Sequence, residues 1–238
     1  LTKINFTLDN LKDGALLLIN KPYKWTSFDV VNYIRKSIDV KIGHAGTLDP
    51  LATGLLILCT GKLTKKIDDY QGLDKEYTGQ IVIGQTTPSF DLETDISLFK
   101  SVELITVAQI NKVAQSFIGV QNQIAPVYSA KKIEGERAYL KARRGEDVEI
   151  KAREIEIKEF EILDICIFEN NIVVSFRVIC TKGTYIRAIA RDFGIKLDNV
   201  AYLKNLVRTK IGNFNLEEAI SLEDFKSKFP VPFKYQKK

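Results

Sequence analysis

The chain of 238 residues contains no methionine, one histidine, one tryptophan and three cysteines. The missing methionine implies that the sequence starts inside a longer native one. A single histidine and no Cys-x-x-Cys pair leave too few ligands for a structural zinc site. Cys59, Cys166 and Cys180 are odd in number, far apart and set among apolar residues. That pattern predicts reduced, buried thiols in a cytoplasmic protein and argues against a disulfide framework. No apolar run approaches the roughly 18 residues of a membrane span. The longest, residues 15–19 and 55–59, have the length of buried strands. The N-terminus has no signal-peptide pattern, and no repeat, low-complexity block or Pro/Ser-rich linker divides the chain.

What is present is ordinary for a globular protein: 45% hydrophobic and 27% charged residues, in a chain long enough for a sizeable core. A formal charge of +5 suits a polyanionic partner but does not by itself identify one. Apolar spacing and punctuation predict strands at 14–20, 54–60, 75–85 and 207–214, and a hairpin over 154–181 turning at Glu169-Asn170-Asn171. They also predict a helix from Thr26 and Ser27 to Ile38 packing through Phe28, Val31 and Ile34 or Tyr33. Further helices are expected at 62–71, at 106–117 behind Thr106, at 137–144, and from Thr184 to about Leu197. Residues 41–53 and 86–97 read as loops. Strands cluster without regular βαβ alternation, so the fold class is α+β on a mixed, largely antiparallel sheet flanked by helices.

Three segments carry candidate chemistry. The first is Gly43-His44-Ala45-Gly46-Thr47-Leu48-Asp49-Pro50, continuing to Gly54. Its glycines permit tight turns or close approach to a ligand, and Asp49 is biased to extended backbone by Pro50. Asp-Pro is also an everyday turn, so spacing alone leaves Asp49 either a turn residue or a chemical group. Neither a P-loop nor a Ser-His-Asp triad fits: Gly61-Lys62 lacks the required spacing, and His44 has no Gly-x-Ser-x-Gly elbow beside it.

The second segment, Lys182-Gly183-Thr184-Tyr185-Ile186-Arg187, opens a helix whose packing face is Ile186, Ile189, Ala190 and Phe193. Arg187 sits where the helix dipole disfavours a cation, so it is either solvated or offset by an acidic partner or ligand. The third runs through Tyr128-Ser129-Ala130-Lys131 to Arg137, Tyr139, Lys141, Arg143 and Arg144. Cations interleaved with tyrosines suit phosphate contacts and base stacking, although interspersed glutamates also suit a solvated face.

Together these segments resemble the TruB family of tRNA pseudouridine-55 synthases, over almost the whole chain. The likeness rests on Gly43-His44-x-Gly46-Thr47-Leu48-Asp49-Pro50-x-Ala52-x-Gly54, on residues 182–187, on Tyr128-Ser129-Ala130-Lys131 followed by Gly135, Tyr139, Ala142, Arg143 and Gly145, and on Leu17 to Pro22 and Tyr202 to Leu206. It implies the pseudouridine synthase fold with an RNA-binding cleft, in one catalytic domain over 1–238 carrying a thumb-like insertion at about 121–153. It implies Asp49 as nucleophile, Arg187 as its partner and Tyr77 stacking on the target base. Tyr185 would line the pocket, Leu206 add an apolar wall, His44 contact the reorganised RNA loop, and Lys21 with Pro22 support the catalytic loop. Lys131, Arg143 and Arg144 would meet RNA from the thumb.

The implied substrate is the tRNA T-arm, handled by a cytoplasmic, stand-alone monomer without cofactor, metal, membrane or obligatory protein partner. A non-catalytic RNA-binding protein on the same scaffold, or a guide-RNA-dependent relative, would be the alternatives. The chain departs from the family pattern in three places. Thr86-Thr87-Pro88-Ser89-Phe90-Asp91 stands where Thr-Asp-Thr-x-Asp is usual, Asn20 replaces the commoner Asp, and a basic tail at 234–238 stands where many members carry a C-terminal PUA-like RNA-binding domain.

Overall fold

A computed structural model describes residues 7–128, 132–133, 136–137, 144 and 150–230. In chain order the strands are β1 (Leu16–Lys21), β2 (Ile42–His44), β3 (Thr53–Thr60), β4 (Lys75–Ile83), β5 (Gln85–Thr86), β6 (Leu98–Phe99), β7 (Gly119–Gln123), β8 (Lys132–Ile133), β9 (Glu136–Arg137), β10 (Arg153–Ile167), β11 (Ile172–Cys180), β12 (Ala201–Ile211) and β13 (Phe214–Asn215). The helices are α1 (Leu8–Asp13), α2 (Ser27–Ile38), α3 (Ile67–Gly72), α4 (Val107–Gln115), α5 (Ile186–Lys196) and α6 (Leu222–Lys228). The fold is α+β, with mostly antiparallel pairing, and the chain divides into two compact units. Leu1–Tyr77 with Val207–Lys238 form the first and Thr78–Leu206 the second, so β4 and β12 each run from one unit into the other.

In the first unit β3 is the hub. It pairs antiparallel with β1 and β2, and parallel with β12 at Val207↔Thr53 and Arg208↔Gly54. Both faces of β3 are covered, which is why its sequence is a continuous apolar run and does not alternate. On one side Leu56 and Leu58 meet Leu17, Ile19, the α2 residues Val30, Val31, Ile34 and Ile38, and Leu222 and Phe225 of α6. On the other, Leu55, Ile57 and Cys59 pack with Ala45 and Ile211. The two-residue period of β1 puts Lys21 on the buried face with Leu17 and Ile19.

Helix α2 begins as its sequence requires: the Thr26 hydroxyl accepts from the Asp29 amide while the Asp29 carboxylate accepts from the Thr26 amide. Phe28, expected on the packing face, is instead 60% exposed. The helical period turns Val30, Val31, Ile34 and Ile38 inward and leaves no room for it.

In the second unit the order is β4, β11, β10, β7. The β10–β11 hairpin runs from Ile157↔Cys180 to Ile167↔Ile172 and closes with Phe168 N–H on the Asn171 carbonyl. Its core is aromatic: Phe117 stacks on Phe193 at 5.9 Å between ring centroids, Phe160 is tilted against both, and Phe176 is tilted against Phe160. Ile186, Ile189, Ala190 and Phe193 of α5 are all buried, as their spacing predicts.

Other boundaries moved for local reasons. Residues 42–44 of the expected loop are a strand, because their main chain pairs with β3. The helix expected over 62–71 starts as a 3-10 turn, Gly61–Lys66, before α3. Thr184 does not cap α5; its hydroxyl bonds the Thr181 carbonyl, and the Gln123 amide oxygen accepts from Tyr185 N–H at the helix start. The strand expected from Val207 begins at Ala201 and breaks before Phe214. Cys166 is exposed, not buried, since it lies near the hairpin tip; Cys59 and Cys180 are buried. The helix expected at 137–144 begins in strand β9, and most of it lies outside the described residues.

Candidate active site

The loop from Gly43 to Gly54 is held by its backbone. Asp49 and Pro50 open a turn in which the Asp49 carbonyl accepts from Ala52 N–H at 3.1 Å, with proline at its favoured second position. The turn role that spacing allowed for Asp49 is therefore real, and its main-chain carbonyl closes the turn. The Asp49 residue remains partly exposed between buried Leu48 and Ala52.

Three side chains fix the backbone around it. Ser27 Oγ accepts from Leu48 N–H at 2.9 Å and donates to the Leu48 carbonyl at 3.3 Å. Lys21 Nζ donates to the carbonyls of Pro22, Trp25 and Pro50 at 3.0, 2.5 and 3.2 Å. Arg208, fully buried, donates from Nε to the Leu55 carbonyl at 2.7 Å, from Nη2 to Gly46 at 3.1 Å and from Nη1 to Thr47 at 3.5 Å. Gly54, at φ +104°, has to be glycine: a Cβ there would stand 2.4 Å from the Arg208 carbonyl oxygen.

Burial pulls the Lys21 ammonium down to about 8; the negative charge of Asp49 offsets part of this, and Arg208 adds to it. Above pH 8 the unfolded chain holds a lysine proton that the folded chain has shed. The burial of Lys21 therefore costs stability at neutral pH, and that cost fades as pH rises towards 10.5, the ordinary lysine value. Urea unfolding of wild type and Lys21→Met at pH 7 and 9.5 checks this. The wild-type free energy should gain on the variant at the higher pH, and a difference flat in pH would contradict it.

His44 ends β2, and its Nδ1 is buried without a hydrogen-bond partner among the described residues. Burial, and then the positive charge of Arg208, lower its pKa below the usual histidine value, so the ring is neutral at pH 7. Tyr77 is buried on β4 in the same unit.

The second unit holds the remaining candidates. Arg187 is 3% exposed, which excludes a solvated arginine. Its Nε lies 3.6 Å from Asp91 Oδ2, and its Nη1 donates to the Ser89 carbonyl at 3.1 Å. The Asp91 carboxylate also accepts from Ser89 Oγ at 2.6 Å and Glu93 N–H at 3.0 Å, and the Asp91 carbonyl accepts from Thr87 Oγ1 at 2.5 Å. The divergent loop thus keeps hydroxyl, hydroxyl and carboxylate at alternate positions, with Pro88 between the first two. One acidic partner of Arg187 is Asp91, the acid that the divergent loop retains. Tyr185 is half-buried beside Ala125 and Ile150, and Leu206 is buried on β12. Lys131 and Arg143 lie outside the described residues, whereas Arg144 is exposed in a turn.

Arg208 was missed as well. Its signal was the two-residue period of β12, which places it on the same buried face as Leu206. Among the described residues no group of three or more His, Cys, Asp and Glu is arranged to hold a metal. The first unit offers a carboxylate on a braced loop and a buried tyrosine, and the second a buried arginine–aspartate pair.

Comparison with known proteins places this arrangement. Residues 34–186 match the family model described as TruB family pseudouridylate synthase, N-terminal domain. The chain belongs to the TruB family. A TruB relative from Phocaeicola vulgatus, named tRNA pseudouridine synthase B, is 49% identical over 91% of this chain and 93% of its own length. The protein of that name from Flavobacterium johnsoniae is 47% identical over 92% and 97%.

Among solved structures, a chain of a Cbf5-Nop10-Gar1 complex aligns with a TM-score of 0.68 at 26% identity, over 92% of this chain and 55% of that one. A chain of an H/ACA RNP bound to a substrate RNA containing 2'-deoxyuridine aligns with a TM-score of 0.66 at 25% identity, over 91% and 53%. The TruB chain therefore spans about half the length of those two solved chains. No helix among its described residues is long and apolar enough to cross a membrane.

Proposed function

We propose that the chain is a stand-alone tRNA pseudouridine synthase that isomerises uridine 55 of the T-loop, with Asp49 as nucleophile. The observation that carries this reading is the near full-length match to relatives named tRNA pseudouridine synthase B. The chains of the Cbf5-Nop10-Gar1 and H/ACA RNP structures share the fold at 25–26% identity, against 47–49% for the relatives named tRNA pseudouridine synthase B, which favours the stand-alone form.

The reaction breaks the bond from uracil N1 to ribose C1', turns the base, and joins C5 to C1'. N1 gains a proton and C5 loses one, so product and substrate are isomers and no external redox partner is consumed. A carboxylate serves such a reaction as nucleophile and proton carrier. The target uridine is stacked inside the RNA loop, so it has to be extruded first, at a cost of a few kcal/mol. Tyr77 offers an aromatic face to the turning uracil, Arg187 a fixed positive charge, and Tyr185 and Leu206 walls for the base. His44, neutral and with a free ring nitrogen among the described residues, suits contact with loop bases.

The insertion at 121–153, with Lys131, Arg143 and Arg144, would meet the T-arm through phosphates and shape. The enzyme would work as a monomer in the cytoplasm, where its tRNA substrate is. Incubation of the purified protein with an unmodified tRNA transcript should convert the T-loop uridine without added protein or guide RNA. Tight binding without conversion would favour a non-catalytic RNA-binding protein instead.

A further inference from the structure

We propose that Arg208 is a positioning residue for the chemistry at Asp49, holding the catalytic loop at both ends through the carbonyls of Gly46, Thr47 and Leu55. Gly46 and Thr47 precede Asp49, and Leu55 follows it on β3. A single planar guanidinium therefore joins the arm entering the turn to the strand leaving it. Ser27 secures Leu48 and Lys21 secures Pro50, so the main chain is held on either side of the nucleophile. Of these anchors Arg208 alone binds residues before and after Asp49.

Only arginine presents donors in a rigid fork that meets three carbonyls from one buried position, and its charge does not titrate. The approach of the two backbones also depends on Gly54, where any side chain would collide with Arg208. The position is costly to bury, since Arg208 is 1% exposed, and the bonds to the three carbonyls offset that cost. Its charge is felt at His44 and Lys21, both of which it disfavours as cations. Asp49 and Asp29 act in the opposite sense on Lys21.

The activity part of this inference rests on the pseudouridine synthase reading, so the test needs a readout beside activity. The chain has one histidine, and the His44 imidazole resonance therefore reports on the loop without ambiguity. In Arg208→Met, single-turnover conversion of a tRNA transcript should fall by about 10²-fold, as expected for a reacting group displaced by about an ångström. RNA affinity should stay close to wild type, and the His44 pKa should rise. Arg208→Lys keeps the charge but not the fork, so its rate should fall between the two; it also carries the test if the methionine variant does not fold. A folded variant with a wild-type rate, a parallel loss of binding and rate, or an unmoved His44 titration would each overturn the proposal. If wild type makes no pseudouridine, the functional reading fails, and the His44 titration alone decides whether Arg208 governs the loop.

Discussion

Asp49→Asn is expected to bind tRNA close to wild-type affinity and to form no measurable pseudouridine. The substitution is isosteric, and the turn it sits in is closed by main-chain atoms, from Ala52 N–H to the residue-49 carbonyl. Leu48 and Pro50 stay tethered by Ser27 and Lys21, so the loop has no reason to move. What is lost is the proposed nucleophile, and removing a nucleophile lowers enzymatic rates by at least roughly 10³-fold. Single-turnover conversion of a T-arm transcript, run beside filter binding, separates chemistry from affinity. Appreciable turnover by this variant would falsify the nucleophile assignment, whereas lost binding would show that Asp49 serves the loop.

The second large effect concerns stability. Asp91→Ala takes away the carboxylate 3.6 Å from the buried Arg187 guanidinium, and with it one acceptor of Ser89 Oγ and of Glu93 N–H. Removing one side of a buried ion pair costs about 3–5 kcal/mol. Desolvation dominates here, and a surface pair of the same length would be worth well under half of that. Urea unfolding should show this loss, with Asp91→Asn intermediate because it keeps an acceptor but no charge. A double-mutant cycle with Arg187→Met should return a clear coupling energy. A cost of Asp91→Ala below about 1 kcal/mol, the size of an ordinary point substitution, would mean that the pair does not stabilise the second unit.

The sequence by itself was enough for the class of fold, the helix starts at Thr26 and Thr106, the β10–β11 hairpin and the identity of the Asp49 segment. These are local properties. Capping boxes, two-residue and 3.6-residue periods and glycine-rich loops are written in contiguous residues, so they are legible before any contact is known. The burial of the α5 packing face was legible for the same reason.

What escaped the sequence was the set of partners. Phe28 looked like a core residue until the packing of α2 turned Val30 and Ile34 inward. Asp91 looked like one acid in a divergent polar loop until folding brought it to Arg187, 96 residues further on. Arg208 looked like a strand cation, yet the carbonyls it holds lie 153 to 162 positions away. Pairings across such distances are decided by which strands lie side by side, and only the parallel register of β12 on β3 sets Arg208 against Gly54. The motif named Asp49; the tertiary structure supplied what holds it, because a buried cation takes its meaning from the carbonyls and carboxylates that folding delivers to it.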